Sequence, residues 1–423
     1  MDQAGVTMKL VFVQPNVGFK GHTWEALGIG YLIAYLKKHY AGELEIEFFS
    51  GFYDSDEQII EAGRNADIIG FGCTSPQYRH GLTLARQIKT KNNHVTFGGI
   101  HPSAMPDLVL AEDCIDSVIP GEGERAMMQL IRDVSAGADA TGQRYTAPYI
   151  EDLDELPFPD RAAIKNERNI QQAFHDENRR ITSVLSSRGC PFNCSFCCSY
   201  VLWKHHTRFR SSANLLDEIE LLVNDWAIQF LKFADDTFTV DKHRVIEFCK
   251  LKIERGIGLP YGANAHVNTI DEEVLRYLTE SGCQELWYGV ESGSPRILKA
   301  MHKHSDIGRI KQAFELTKEY GIKTRAYFLL GMPGETADDI AMTEKLCDEL
   351  QPDIVGFTLL APYPTNEYYN HETMRNWDWA TFDEYNNDWV STGTLSNRDL
   401  KDIQRRLVAK YQDIAAFRQK EPN

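Results

Sequence analysis

The chain has 423 residues, 43% hydrophobic and 25% charged, with 45 Lys and Arg against 61 Asp and Glu for a formal charge of −16. That length makes two or three domains, and the acidic balance argues against nonspecific binding to nucleic acid or to an anionic membrane. No apolar run reaches the roughly 18–20 residues of a membrane span, no signal peptide is read at the N-terminus, and nine cysteines, an odd number, point to a reducing cytoplasmic setting, not a disulfide framework.

In chain order, residues 8 to 136 alternate short apolar runs with helical patterns. Strands are expected at Leu10–Gln14, Leu44–Phe49, Ile68–Cys73, Val95–Phe97 and Ser117–Ile119. Helices are expected at Trp24–Tyr40, Asp56–Arg64, Tyr78–Lys91, Met105–Leu110 and Glu124–Val134. The alternation predicts an α/β domain over residues 1–136, a doubly wound parallel sheet of flavodoxin-like order. Such sheets bind ligands beyond the carboxyl ends of their strands. The loops there are rich in glycine: Gly72-Cys73-Thr74-Ser75, Gly98-Gly99-Ile100-His101-Pro102 and Pro120-Gly121-Glu122-Gly123-Glu124. Glycine lets a bulky ligand approach the backbone. Gly28 and Gly30 do not complete a dinucleotide fingerprint, because Ile33 holds the third glycine position. A sheet that holds no ligand and serves as a platform stays open as an alternative.

Residues 137–177 read as a linker, small and polar from Ala138 to Tyr149 and stiff at Leu156-Pro157-Phe158-Pro159. Over 178–365 the alternation resumes, with strands expected near Ile181–Leu185, Ile228–Phe233, Tyr261–Asn264, Glu285–Gly289, Thr324–Leu330 and Ile354–Leu360. Six β/α units predict a partial barrel, with active residues at the carboxyl ends of its strands. Residues 366–423 form a cap with Tyr368, Tyr369, Trp377, Trp379, Phe382, Tyr385 and Trp389, then an amphipathic helix from Ser396 to about Arg418. The aromatics read either as a wall of a substrate pocket or as packing of the cap onto the barrel.

The loop after the first barrel strand carries Cys190-Pro-Phe-Asn-Cys194-Ser-Phe-Cys197. Three cysteines at this spacing fit three corners of a [4Fe–4S] cube, leaving one iron open to a substrate. A zinc site completed by Cys198 or His205, or buried free thiols, are the plainer alternatives. No second group of three cysteines exists for an auxiliary cluster.

The cysteine loop, Gly289-Val290-Glu291-Ser292 and Gly331-Met332-Pro333-Gly334-Glu335-Thr336 together resemble the radical S-adenosylmethionine (SAM) enzymes from about residue 178 to 369. The LGIGYL, GGIHP and PGEGE segments resemble the cobalamin-binding domain that precedes many of their barrels. The resemblance implies Cys190, Cys194 and Cys197 as cluster ligands. It implies SAM contacts from Asp235 and Asp236 after the second barrel strand, Glu291 and Ser292 after the fourth, and Gly331 after the fifth. Phe192 and Phe196 would shield the cluster and flank adenine. Pro362-Tyr363-Pro364-Thr365-Asn366 departs from the family's PxPGT by lacking its glycine. For cobalamin it implies Gly98, Gly99, Gly121 and Glu122. The Asp-x-His-x-x-Gly of corrinoid carriers is absent and His22 stands alone, so the loop Ser75-Pro76-Gln77-Tyr78, through Ser75, Gln77 and Tyr78, is expected at the lower face.

These features lead to a cobalamin-dependent radical SAM methyltransferase that methylates an unactivated carbon of a small molecule or peptide. Its cofactors would be a [4Fe–4S] cluster, SAM and cobalamin, with ferredoxin or flavodoxin as electron donor. A radical SAM cyclase, ring-rearranging or carbon–carbon coupling enzyme is the first alternative. A corrinoid carrier or iron–sulfur redox sensor is the non-enzymatic one.

Overall fold

The structure is a computed structural model that describes residues 7–17, 25–375, 377–378, 380, 383–384 and 387–414. The N-terminal sheet runs parallel in the order β2-β1-β3-β4-β5-β6. Its strands are β1 Met8–Gln14, β2 Leu44–Ser50, β3 Ile68–Gly72, β4 His94–Gly98, β5 Ser117–Ile119 and the two-residue β6 Gln143–Arg144. The first five give the flavodoxin-like order. Side chains alternate between the two faces, and both faces are buried. Val11, Val13, Ile69, Phe71, Val95 and Phe97 fill one core, while Leu10, Phe12 and Ile68 join Leu27, Ile33 and Leu36 in the other. Burial on both sides is why these strands read as continuous apolar runs.

Two local differences from expectation bear on the site. Ser75, Gln77 and Tyr78 lie in the first turn of a helix, Ser75–Ile88, not in a loop: Thr74 and Gln77 form a capping box, and Pro76 fits the first turn. A short helix, Ile100–Ala104, precedes Pro106–Leu110 where loop was expected. Trp24, at the expected start of the first helix, and His22 lie outside the described residues, and that helix spans Leu27–His39.

The second sheet has six parallel strands, Ile181–Val184, Phe230–Phe233, Tyr261–Ala265, Cys283–Glu291, Lys323–Leu330 and Ile354–Leu359, adjacent in chain order. They form the partial barrel, with one large apolar core. Residues 137–177, read as a linker, are wedged between the two domains. Ala140 and Tyr145 enter the N-terminal core, Ile150 and Leu153 pack on Tyr31, and Ile170 of helix Glu167–Glu177 enters the barrel core.

The last helix spans Asn397–Lys410, capped by Ser396 and Asp399. Leu400 and Leu407 bury into the barrel, and Gln404 donates to the Phe357 carbonyl at 2.9 Å, covering the edge strand. Residues 415–418 of the expected helix, and the aromatics Trp379, Phe382 and Tyr385, lie outside the described residues. The other cap aromatics divide. Tyr369 and Trp377 pack on the N-terminal core, Trp377 stacks on Trp389 at 4.7 Å, and the Tyr368 hydroxyl meets Ser195 in the cysteine loop at 2.5 Å. The cap thus braces both domains.

Candidate active site

The cysteine loop leaves the first barrel strand through a two-residue antiparallel ladder, Ser187 with Phe209 and Arg188 with Arg208. Gly189 then passes beneath the His206 carbonyl with φ +98; a Cβ there would stand 2.2 Å from that oxygen, so only glycine makes this turn. The three ligand cysteines follow. The Cys190 sulfur lies 3.7 Å from the Thr237 hydroxyl beyond the second strand, and the Cys197 N–H donates to the Cys194 carbonyl at 3.1 Å. Burial raises all three thiols, Cys197 up to about 12. Left alone they would stay protonated; a metal that displaces their protons restores the thiolate. The donor set fits a cube held by one chain. Among the described residues no three His, Cys, Asp or Glu side chains close tightly enough for a single metal ion, and ligands of one zinc ion would need to stand within roughly 4 Å of each other.

The loop is braced from outside. Ser195 donates its N–H to the Met301 carbonyl at 3.0 Å, Glu367 donates to Ser195, and the His304 ring meets Asn193 at 2.8 Å. Asn366, which follows Thr365 at the position of the family's glycine, is buried and donates to the Ala361 and Phe196 carbonyls, tying the sixth-strand loop to the cysteine loop. Phe192 stacks on His266 at 4.2 Å, and Phe196 packs against the barrel core.

The expected SAM residues separate. Asp236 faces the mouth, accepts from Ser199 at 2.5 Å, and is raised by burial and by Asp235. Asp235 turns inward, 1% exposed, and accepts from Ser186 and Ser187. Its side chain anchors the start of the cysteine loop. Ser292 is fully buried, and its hydroxyl meets Thr343 and accepts the Ser294 N–H. Gly331 has φ +93, and a Cβ there would strike Val390 at 2.8 Å, so glycine admits the C-terminal tail at this turn. Glu291 stays at the site, in the left-handed region at φ +66, with Lys303 on its carboxylate at 3.1 Å. Burial alone would lower the Lys303 ammonium, but Glu291 and Cys194 outweigh it and raise it. Sequence reasoning missed Lys303; the signal was a buried carboxylate with no cation assigned to it.

Glu335 of the GMPGET segment is buried, and burial pushes it up to about 7 while its Oε2 accepts the Gly331 and Met332 N–H groups. A carboxyl raised above its unfolded value binds its proton more tightly when folded. Stability is therefore expected to fall as pH rises from about 4.5 to about 7 and then level off. Glu335→Gln should flatten that slope in urea midpoints taken across the range; an unchanged slope would place the proton elsewhere.

In the N-terminal domain, Gly99 has φ +96 and a Cβ there would lie 2.8 Å from the Cys73 backbone, while one at Gly98 would lie 3.3 Å from the Ile119 carbonyl. At both positions neighbouring strand ends close on the backbone. Gly121, with φ +84, has no atom within 4 Å of a Cβ and borders open room at the end of β5. Ser75 meets His101 Nδ1 at 3.0 Å, Gln77 donates to the Pro15 carbonyl at 2.8 Å, and Tyr78 stacks on the His101 ring. Ser75 and Gln77 therefore spend polar atoms within the domain. Burial keeps His101 neutral, near about 3. The open face beside Gly121 suits a large ligand.

Glu122 does something the sequence reading did not assign. Its carboxylate takes Arg188 at 2.5 Å, Arg208 at 2.9 Å and the Ile150 N–H at 2.9 Å, and Glu124 takes the other arm of Arg188 at 2.6 Å. All four side chains are buried. Burial alone would raise Glu122, but Arg208 and Arg188 overcome it and hold it below the ordinary carboxylate range. Arg188 lies over Tyr31 and Trp203, and Arg208 over Tyr149. Helix Ile100–Ala104 contacts helix Tyr200–Trp203, just beyond the cysteines. The strand-end loops of both domains thus meet at one interface.

The model of the radical SAM superfamily matches residues 184–347, and that of the B12 binding domain matches 16–131. An anaerobic magnesium-protoporphyrin IX monomethyl ester cyclase of Rubrivivax gelatinosus is 30% identical over 440 residues, covering 95% of this chain and 78% of that one. An uncharacterised methyltransferase of Pyrococcus horikoshii is 28% identical over 376 residues, covering 84% and 80%. The structure of the radical SAM methyltransferase TsrM from Kitasatospora setae, with cobalamin and a [4Fe–4S] cluster bound, superposes with a TM-score of 0.70 at 18% identity, covering 86% of this chain and 77% of that one. With its three-cysteine loop at the barrel mouth and its B12-type sheet docked against that loop, the chain belongs to the radical SAM enzymes that carry an N-terminal cobalamin-binding domain.

Proposed function

We propose that this enzyme methylates an unactivated carbon of a small molecule or peptide substrate. The observation that carries the reading is the meeting of the two strand-end faces, where Glu122 and Glu124 of the B12-type domain hold Arg188 two residues before the first cysteine. The methyltransferase names of the Pyrococcus relative and of TsrM support it. When bound, the cluster, SAM and cobalamin supply an electron, a hydrogen-abstracting group and the methyl group.

The chain's own residues bind, orient and exclude water. Cys190, Cys194 and Cys197 would hold the cluster. Asp236 offers an acceptor to the SAM ammonium. Glu291 offers one toward its ribose, and Phe192 and Phe196 flank the cluster. Gly121 leaves room for the corrin above the sheet. A small protein such as ferredoxin or flavodoxin delivers the electron. The alternative, oxidative cyclisation, is favoured by the Rubrivivax relative.

Co-product accounting separates the two. A methyltransferase of this kind forms 5′-deoxyadenosine and S-adenosylhomocysteine together as substrate turns over. A cyclase forms the first without the second.

A further inference from the structure

We infer that Lys303 is a positioning residue that sets the reduction potential of the cluster, acting as a counter-charge shared by Glu291 and the cysteine thiolates. The inference rests on the cluster and not on methyl transfer.

Its geometry is built. The Lys303 ammonium is 3.1 Å from Glu291 Oε1, and the two side chains are 9% and 11% exposed. Glu291 reaches it from a left-handed backbone position where the fourth barrel strand shifts register against the fifth, between Gly289 and Glu291. A Cβ at Gly289 would lie 2.2 Å from Glu291 Oε1 and 2.9 Å from the Lys303 nitrogen, so any side chain there would have to displace the pair. A non-glycine residue in the left-handed region persists where the surroundings over-determine it.

The loop that carries Lys303 is fastened to the cluster loop on both sides, by Ser195 to Met301 and by His304 to Asn193. Met301 and His304, on either side of Lys303 in the chain, are the residues so held, which fixes the buried ammonium beside the cluster loop. One-electron reduction adds a negative charge to the cube. A buried cation favours the reduced state and a buried anion opposes it, and local charge is among the levers that set such potentials.

Two substitutions on one pair should then move the potential in opposite directions. Purified full-length protein, reconstituted anaerobically with iron and sulfide and without SAM, would be titrated with dithionite and followed by EPR. Lys303→Met should shift the midpoint negative, Glu291→Gln should shift it positive, and Lys303→Arg should stay near the parent value. A merely structural pair would move both the same way or not at all, and either result overturns the inference. Iron content, measured first, distinguishes a lost cluster from a shifted one. If Lys303→Met does not retain the cluster, the Glu291→Gln shift decides: a positive shift sustains the inference and an unchanged midpoint overturns it.

Discussion

Cys190→Ala, Cys194→Ala and Cys197→Ala should each strip the reconstituted protein of most of its iron, from about four per chain for an intact cube, and abolish 5′-deoxyadenosine formation. The reason is specific to this loop. Burial already opposes the thiolate at all three positions, so a cube missing one ligand has no neighbouring group ready to replace it. Cys198 is the control. It adjoins Cys197 but burial raises its thiol to about 11, its carbonyl accepts the Val201 N–H, and Thr365 bonds its side chain. Cys198→Ala should keep both iron and SAM cleavage. Iron analysis with chromatography of the nucleoside product checks all four variants, and a fully active Cys194→Ala enzyme would rule the ligand assignment out.

Glu122→Ala should be among the most damaging changes away from the cysteines. It leaves Arg208 buried without its carboxylate and Arg188 with Glu124 alone. Removing one partner of a buried pair costs about 3–5 kcal/mol. An exposed ion pair is a fit comparison: Arg79 with Asp378 also joins N-terminal domain to cap, and exposed pairs are worth about 0–1 kcal/mol. Urea unfolding should show a large fall in midpoint for Glu122→Ala and almost none for Arg79→Ala. Hydrogen exchange should quicken around residues 120–126 and 186–210 in the first variant. Equal small effects would mean the cluster does not hold the domains together.

Much of the architecture was legible in the chain. The central strands of the N-terminal sheet appear as apolar runs because both of its faces are covered, and helix Asp56–Arg64 lies where its periodicity puts it. The radical SAM family was legible from the cysteine loop because cluster chemistry fixes the spacing of such cysteines. What failed was direction. Asp235 and Asp236 are adjacent and chemically identical, and only the fold shows that one turns in toward Ser186 while the other faces the mouth. Gly99 and Gly121 look alike in sequence, yet one is pressed on Cys73 and the other stands in the open. Glu122 and Arg188 are 66 residues apart, and Lys303 lies 106 residues beyond Cys197. Such pairings follow from how two domains dock, which no local pattern encodes. The segment 137–177 looked like linker because its strand has two residues and its apolar side chains are divided among three clusters.

The fate of the methyl group tests the central claim most directly. Enzyme loaded with cluster and cobalamin would be incubated with SAM carrying a 13C methyl group, a flavodoxin-based reductant, and a fractionated anaerobic extract as the source of substrate. The account predicts a product heavier by one labelled methyl on carbon, with 5′-deoxyadenosine and S-adenosylhomocysteine rising together in that fraction. A product that forms with 5′-deoxyadenosine, without S-adenosylhomocysteine and without label, would contradict methyl transfer and leave the cyclase reading in its place.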